Sequence, residues 1–254
     1  MRPRLSDDEL RELLGLIEGA DTVELKLTVP ESDRNSALSA LGVDPLQARV
    51  RQVFFFDTPD LSLYEHGVVA RARRTQTKSD DSVIKLRPVV PNEIPPELRA
   101  TEDFGVEVDA MPGGYVCSAS YKRELQAGKV MESVTGRRSL RKLFSKQQRA
   151  FFAMHAPDRI ELDDLAILGP INVLKLKFAP EGLARRIAVE LWSYPSGSRI
   201  LELSTKCSPG DAFQAAVETR AYLGERGVDL DGKQETKTRT ALAYLSRALQ
   251  GTTD

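Results

Sequence analysis

The sequence predicts an α+β protein, mainly antiparallel β, whose strands close into a barrel covered by helices. The stretch TVELKLTV, residues 22–29, alternates apolar and polar residues, which is the pattern of a strand with one buried face. Eight or nine strand-like stretches follow one another along the chain, most of them separated by turns. A sheet of this size can close on itself, and closure leaves no strand edge exposed.

The first half of the chain predicts two helices and five strands. Ser6 can cap a first helix that ends at Gly19, and a second helix ends near Gly42. A turn is expected at residues 57–60, where Asp, Thr and Pro follow a run of aromatic residues. The strands are expected at residues 22–29, 51–56, 68–74, 82–88 and 104–111.

The second half predicts a loop region, four strands and two helices. Residues 118–145 are rich in Lys, Arg and Ser and are predicted to form helix and loop. One terminal helix is expected to open at Ser208-Pro209 and to end at Gly227, because proline favours the first helical turn. The second lies within residues 234–249. The four strands are expected at residues 145–154, 170–178, 185–192 and 198–207.

Composition excludes several classes of protein. The 254 residues carry 36 Lys and Arg against 37 Asp and Glu, so no general attraction to DNA or to a membrane surface is expected. Two cysteines and two histidines are too few for a disulfide framework or a Cys/His zinc site. The N-terminus has no long apolar run, so a cytoplasmic protein is expected. We expect one domain, 1–254, with the barrel at about 20–207 and C-terminal helices at about 208–250.

The charged residues of the strands occupy alternate positions, and we interpret them as pointing into the barrel. A solvated outer face is the common alternative for such a pattern. Here, however, the polar positions carry mostly full charges, and the amphipathic helices need an apolar outer surface to cover. The predicted interior cations are Lys26, Arg71, Arg73, Lys85, Arg87, Arg149, Lys175, Lys177, Arg186 and Lys206. The predicted interior carboxylates are Glu24, Glu107, Asp109, Glu190 and Glu202.

This interior has about five positive charges in excess, which indicates a compact polyanion as the ligand. Burying like charges is costly unless a ligand neutralises them, and Arg and Lys are the usual phosphate binders. The carboxylates can hold Mg²⁺ or Mn²⁺, which prefer oxygen ligands and bridge phosphate oxygens. The charges therefore predict a metal-assisted site for an oligophosphate.

Several segments also carry the pattern of a known family. They are TVELK at 22–26, FFFDTPDLSLYEHGVVARARR at 54–74, IKLRP at 84–88, VEVD at 106–109, VELW at 189–192 and LELSTK at 201–206. The chain thereby resembles the CYTH superfamily, the triphosphate tunnel metalloenzymes, over about residues 20–206. The resemblance implies an eight-stranded antiparallel barrel whose tunnel binds triphosphate. The family includes inorganic, thiamine and RNA triphosphatases and a class of adenylate cyclases.

The resemblance also implies roles for individual residues. Glu24 would be a metal ligand and Lys26 a phosphate contact. Glu107, Glu190 and Glu202 resemble the family's other acidic ligands, with Asp163 or Asp164 as an alternative to Glu190. Lys237 or Arg239 would match a late lysine of the family. The cationic wall would comprise Arg71, Arg73, Lys85 and Arg87.

The chain departs from the family pattern at two positions. Thr22 replaces the first Glu of the E-x-E-x-K motif, and Ser204 replaces the second Glu of the late E-x-E motif. Each pair of metal-binding carboxylates has therefore lost one member, which predicts weaker metal affinity or altered chemistry.

Metal-dependent hydrolysis of inorganic triphosphate or a small organic triphosphate is the first functional prediction. Glu202 or Glu107 would position the attacking water, and Lys26 would contact the phosphate. A module that only binds polyphosphate or a nucleotide is the alternative, and adenylate cyclase activity ranks lower. The protein is expected to be a monomer or a homodimer with a triphosphate or polyphosphate ligand.

Overall fold

Nine strands form a closed barrel in the computed structural model, which describes residues 6–229, 234 and 237–249. The strands are β1 Thr22–Val29, β2 Arg49–Asp57, β3 Val68–Thr75, β4 Asp80–Leu86, β5 Phe104–Met111, β6 Gly114–Leu125, β7 Ala166–Phe178, β8 Ile187–Ser193 and β9 Arg199–Cys207. The helices are α1 Asp7–Gly19, α2 Arg34–Ala40, α3 Ser62–Glu65, α4 Pro96–Arg99, α5 Lys129–Val134, α6 Lys146–His155, α7 Ala212–Glu225 and α8 Lys237–Leu249.

The order of strands around the barrel is β1-β5-β6-β4-β3-β2-β7-β8-β9. β1 pairs with β5 in parallel, and the other neighbouring strands are antiparallel. The prediction of a closed, mainly antiparallel barrel is confirmed. The expected number of eight strands was wrong, because the described barrel has nine.

Two segments differ from the sequence prediction. The second half of β6 lies where helix and loop were expected. Its inward positions hold small serines and its C-terminal end holds charged residues, so no apolar run marked it as a strand. Residues 145–154, expected as a strand, form most of α6. Ser145 caps this helix: its hydroxyl accepts the N–H of Gln148, while the Gln148 side chain accepts the N–H of Ser145.

The outside of the barrel is apolar and is covered by helices, as the inward charges require. Phe151 and Phe152 of α6 pack with Phe56, Ile84 and Tyr121 of the strands. α7 covers β1, β8 and β9, and α1 covers β1, β5 and β6, in separate buried clusters. None of the helices in the described ranges is long and apolar enough to cross a membrane.

α8 closes one end of the barrel. Its Ala241, Leu242 and Leu245 are buried against Phe55 and Trp192, among other residues of the inward face. Phe55 lies directly opposite Arg71 in the β2–β3 register, so both side chains point inward. The interior is therefore apolar at the α8 end and charged beyond it.

The turn between β2 and β3 is fixed by one carboxylate and one glycine. Asp57 accepts hydrogen bonds from the N–H groups of Thr58, Leu63 and Tyr64 at 2.8, 2.9 and 3.0 Å. Gly67 has φ +77°, and its carbonyl accepts the N–H of Arg87 at 2.9 Å. A Cβ atom at Gly67 would lie 2.2 Å from the Arg87 carbonyl oxygen. These contacts set the position of β3 beside β4, and with it the direction of their charged side chains.

Candidate functional site

A cavity of about 330 Å³ lies inside the barrel, and we call it the tunnel. Its described lining holds eleven cations and five carboxylates, an excess of six positive charges. The excess agrees in sign with the sequence prediction and is slightly larger. The charged lining residues are Glu24, Lys26, Arg51, Arg71, Arg73, Lys85, Arg87, Glu107, Asp109, Lys122, Lys175, Lys177, Glu190, Glu202, Lys206 and Lys237.

Two of the fifteen predicted interior residues do not reach the tunnel. Arg149 lies on α6, outside the barrel, where its guanidinium donates to the Phe144 carbonyl at 2.8 Å. The strand expected there is a helix, so the alternation that placed Arg149 inside does not apply. Arg186 is exposed just before β8, and its carbonyl accepts the Thr205 hydroxyl at 2.9 Å.

Three cations of the tunnel were not among the predicted interior residues. Arg51 precedes an aromatic run in β2 that hides the strand's alternation. Lys122 lies on β6, in the segment predicted as helix and loop. Lys237 begins α8 and was named only as a possible match to a late lysine. Its signal, a lysine ahead of an amphipathic helix, does not by itself indicate a tunnel position.

Three carboxylates from β1 and β5 form a cluster that we call the carboxylate trio: Glu24, Glu107 and Asp109. One oxygen from each lies within 4.8 Å of the others. Lys26 lies 2.8 Å from Asp109 Oδ1 and 3.4 Å from Glu24 Oε2. Parallel pairing brings the trio together, because Glu24 aligns with Asp109 and Glu107 is the next inward residue of β5.

The trio fits a hard divalent cation. Its donors are all carboxylate oxygens, the ligands that Mg²⁺ and Mn²⁺ prefer. Burial opposes ionisation of Glu107, but the ammonium groups of Lys206 and Lys85 lower its pKa to about 2. Burial likewise opposes ionisation of Glu24, and Lys26 and Lys206 hold its pKa below its ordinary value. Both carboxylates are therefore ionised at neutral pH.

An arginine wall of Arg51, Arg71 and Arg73 lies on β2 and β3. β2 is four strands from β5 in one direction and four from β1 in the other, so the wall faces the trio across the tunnel. Arg73 Nε donates to Asp81 at 2.9 Å. The Nε atoms of Arg51 and Arg71 are buried without a hydrogen-bond acceptor among the described residues. Burial and the neighbouring Arg73 lower the pKa of Arg71 to about 10. The positive charge of the arginine wall is therefore not fully balanced by nearby carboxylates.

A second acidic group, the glutamate pair Glu190 and Glu202, lies on β8 and β9. The two residues are directly opposite each other in the strand register. Lys175 and Lys237 form ion pairs with Glu190, and Lys237 Nζ also lies 2.5 Å from Glu202 Oε1. The indole N–H of Trp192 donates to Glu190 Oε2 at 3.0 Å.

Ionisation differs within the glutamate pair. Burial disfavours the charged form of Glu190, but Lys237 and Lys175 hold its pKa well below the ordinary value. Burial raises the pKa of Glu202 despite its contact with Lys237. Glu202 is therefore the more basic member of the pair.

Lys85 is a largely buried tunnel lysine without a close carboxylate partner among the described residues. Its Nζ is 3.9 Å from Glu107, too far for a close ion pair. Burial lowers its pKa to about 8, and the nearby carboxylates do not restore the ordinary value. Lys26, by contrast, is held against Asp109 and Glu24, which outweigh burial and raise its pKa.

Solved structures match the barrel, whereas no known family profile and no curated protein matches the sequence. A candidate adenylyl cyclase from Hippeastrum with a dominant triphosphatase activity aligns with 87% of this chain and 95% of its own, at TM-score 0.64 and 14% identity. A candidate adenylate cyclase from Bacillus halodurans aligns with 86% of this chain and 98% of its own, at TM-score 0.58 and 13% identity. The chain has the fold of these two structures. The resemblance inferred from residues 20–206 is thus confirmed at the level of the fold.

Thr22 and Ser204, the two positions that depart from the motifs of the resemblance, hold the remaining carboxylates in place. The Thr22 hydroxyl donates to Glu107 Oε2 at 3.3 Å, and the Ser204 hydroxyl donates to Glu24 Oε1 at 2.9 Å. Each substitution therefore exchanges a charge for a hydrogen bond that orients a member of the trio.

The alternative acidic ligand near the start of β7 lies outside the tunnel. Asp163 accepts the Ser139 hydroxyl at 2.7 Å and the Arg141 N–H at 2.9 Å. Asp164 is exposed. Glu190, in contrast, lines the tunnel, so the geometry favours it over both aspartates.

Proposed function

We propose that this protein hydrolyses inorganic triphosphate or a small organic triphosphate inside the tunnel, with Mg²⁺ or Mn²⁺. One observation carries the proposal: the carboxylate trio and the arginine wall face each other across a single cavity. A chain of phosphates placed between them would meet metal-binding oxygens on one side and guanidinium groups on the other. The triphosphatase activity of the Hippeastrum protein supports the same reaction class.

The trio would hold the divalent ion, and the wall would hold the phosphates. A divalent ion at Glu24, Glu107 and Asp109 would offset charge between phosphate groups. Arg51 and Arg71 have donors free for phosphate oxygens, and their charge would stabilise the negative charge that develops during phosphoryl transfer. Lys26, held against Asp109, would provide a further contact to phosphate.

The attacking water would be positioned by a tunnel glutamate. Glu107 has a pKa of about 2, so it would orient a water by hydrogen bonding rather than accept its proton. Glu202 has a raised pKa and is the better proton acceptor of the two. We assign the orienting role to Glu107 and the proton-accepting role to Glu202.

The lining favours a substrate without a nucleobase. Among the described lining residues, Trp192 is the one aromatic side chain, and its ring lies 5.1 Å from the ammonium of Lys237. Since its ring is occupied in this way, it offers little stacking surface for adenine. This ranks cyclase chemistry below hydrolysis of a triphosphate.

Phosphate release from inorganic triphosphate tests the proposal, with Mg²⁺, Mn²⁺ and EDTA in parallel. We expect metal-dependent release that Arg71→Met reduces about 100-fold in kcat/KM, because the substitution removes one donor to the reacting phosphate. Glu24→Gln should raise the Mn²⁺ concentration needed for half-maximal rate about tenfold or more. Arg149→Met is the matched control, since the structure places this arginine outside the tunnel.

Two results would contradict the proposal. The first is wild-type protein that releases no phosphate from inorganic or organic triphosphates with either metal. The second is equal loss of activity in the Arg71 and Arg149 variants.

Thr22 and Ser204 favour a second candidate, a tunnel that binds polyphosphate without turnover. Each carries a hydroxyl where the family pattern has a metal-binding carboxylate. Such a module would rely on the Arg and Lys residues and would retain triphosphate in EDTA without releasing phosphate when metal is added.

A further inference from the structure

Three of the four oxygens of the glutamate pair are already taken by fixed donors of the protein, which leaves Glu202 Oε2 for its proton-accepting role. Lys175 binds one oxygen of Glu190, and Lys237 and the Trp192 indole bind the other. Lys237 also binds Glu202 Oε1. One ammonium therefore bridges the two carboxylates that face each other across β8 and β9, the position at which a divalent ion would bridge them.

Lys237 is held in this position by its surroundings. It is the first residue of α8, where the helix dipole disfavours a cation. The Tyr194 hydroxyl donates to the Lys237 carbonyl at 3.1 Å, and the Trp192 ring lies 5.1 Å from its ammonium. The buried α8 cluster that follows fixes the helix against the barrel. Because the N-terminus of α8 disfavours a cation, the attraction of Glu190 and Glu202 must offset the electrostatic cost of placing the Lys237 ammonium there.

Of the three lysines beside the carboxylate trio, Lys26 is held against Asp109 and Glu24, but the other two are held less firmly. Lys206, which pairs with Glu107 and Glu24, extends from the tunnel wall with 47% of its side chain exposed. Lys85 is 3.9 Å from Glu107. An incoming metal can displace Lys206 into solvent, whereas Lys237 is anchored by a packed helix. The two acidic groups therefore differ in whether their oxygens can be released to a metal.

We propose that Lys237 takes the place of a second divalent ion, so that the tunnel binds one ion, at the carboxylate trio, rather than two. The inference rests on the proposed function for the identity of its ion. It assigns Lys237 as a positioning residue that fixes Glu190 and Glu202. It also separates the five predicted metal ligands into three that bind the ion and two that the protein neutralises itself.

Titration calorimetry with MnCl₂ alone tests the inference, without any substrate. Wild-type protein should bind one Mn²⁺ per chain. Lys237→Met keeps the length of the side chain but removes its charge, and it should bind two. Lys177→Met is the matched control, because it removes an exposed cation of the same lining that pairs with neither glutamate, and it should still bind one. Two ions in the wild type, or one in a folded Lys237→Met, would overturn the inference.

A second set of variants keeps Lys237 and so does not depend on the folding of Lys237→Met. Glu24→Gln should weaken Mn²⁺ binding about tenfold or more, as expected for loss of a ligand. Glu190→Gln should leave the affinity within about twofold, because this carboxylate contacts no ion in our assignment. Equal weakening by both substitutions would show that Glu190 is a ligand and would refute the inference.

The same measurements separate this inference from the proposed function. One Mn²⁺ in the wild type and two in Lys237→Met, without phosphate release, would support the inference and refute hydrolysis. Phosphate release together with two bound Mn²⁺ ions in the wild type would support hydrolysis and refute the inference. A wild-type protein that binds no Mn²⁺ would refute both.

Discussion

If the tunnel binds triphosphate as proposed, Lys85 should make the binding sensitive to pH, and Lys85→Arg should reduce this sensitivity. With a pKa of about 8 in the empty tunnel, Lys85 is charged below pH 8 and neutral above it. A bound polyanion favours the ammonium form, so binding above pH 8 takes up a proton. The affinity should fall up to tenfold per pH unit. If the complex restores the ordinary lysine pKa of 10.5, the loss reaches about 150-fold at pH 10.5 and levels off near about 300-fold above it.

The same shift predicts how stability changes with pH. The folded state loses the Lys85 proton near pH 8, while the unfolded chain keeps it up to the ordinary lysine pKa of 10.5. The unfolded state therefore binds more protons in this window, and Lys85 makes stability rise with pH from about 8 to 10.5. The charged form costs about 3 kcal/mol below pH 8. Lys85→Met should remove this cost, so its advantage over wild type is largest at neutral pH and disappears near pH 10.5.

Calorimetry with inorganic triphosphate in EDTA, between pH 7 and 10.5, checks the binding prediction without turnover. The wild-type Kd should rise with pH, and Lys85→Arg should show a much smaller rise, because the ordinary pKa of a guanidinium is about two units or more above that of an ammonium. Urea unfolding of wild type and Lys85→Met at pH 7 and 10.5 checks the stability prediction. The reasoning fails if Lys85→Arg follows the wild-type slope, or if the stability difference is the same at both pH values.

The turn between β2 and β3 gives two further predictions. Asp57→Ala leaves three N–H groups without their acceptor and should lower the free energy of unfolding by about 3 kcal/mol. Asp60→Ala removes an exposed carboxylate and should lower it far less. Urea unfolding of both variants tests this prediction. Gly67→Ala should lower Tm more than Gly113→Ala, since both have positive φ but only Gly67 would place its Cβ against the Arg87 carbonyl; equal Tm losses would show that φ alone matters.

The sequence predicted the barrel because, in most strands, apolar and charged residues alternate and so distinguish the outer face from the inner face. Residues 22–29 and 199–207 alternate regularly, and Leu27 and Leu203 pack outside while Glu24 and Glu202 line the tunnel. The thirteen predicted residues that reach the tunnel follow from this period of two.

The errors came from places where the period was hidden. In β2 the run Val53–Phe56 is buried on both faces, because α8 packs inside the barrel and α6 packs outside, and this obscured Arg51. Arg149 was misplaced because the capping box of Ser145 and Gln148, which marks a helix, was interpreted as part of a strand. Lys237 joins the site through the docking of α8, a long-range contact that no local pattern encodes.

The parallel pairing of β1 with β5 has a consequence for synthesis of the chain. Thr22 of β1 and its partner Glu107 of β5 are 85 residues apart, but the other neighbour of β1 is β9, and Ser204 bonds to Glu24 across 180 residues of sequence. Until β9 leaves the ribosome, β1 presents an unpaired edge, which is a template for pairing with another chain. A nascent or truncated chain that ends before Cys207 would therefore expose the strand that carries Glu24 and Lys26, and would be open to strand exchange with its neighbours.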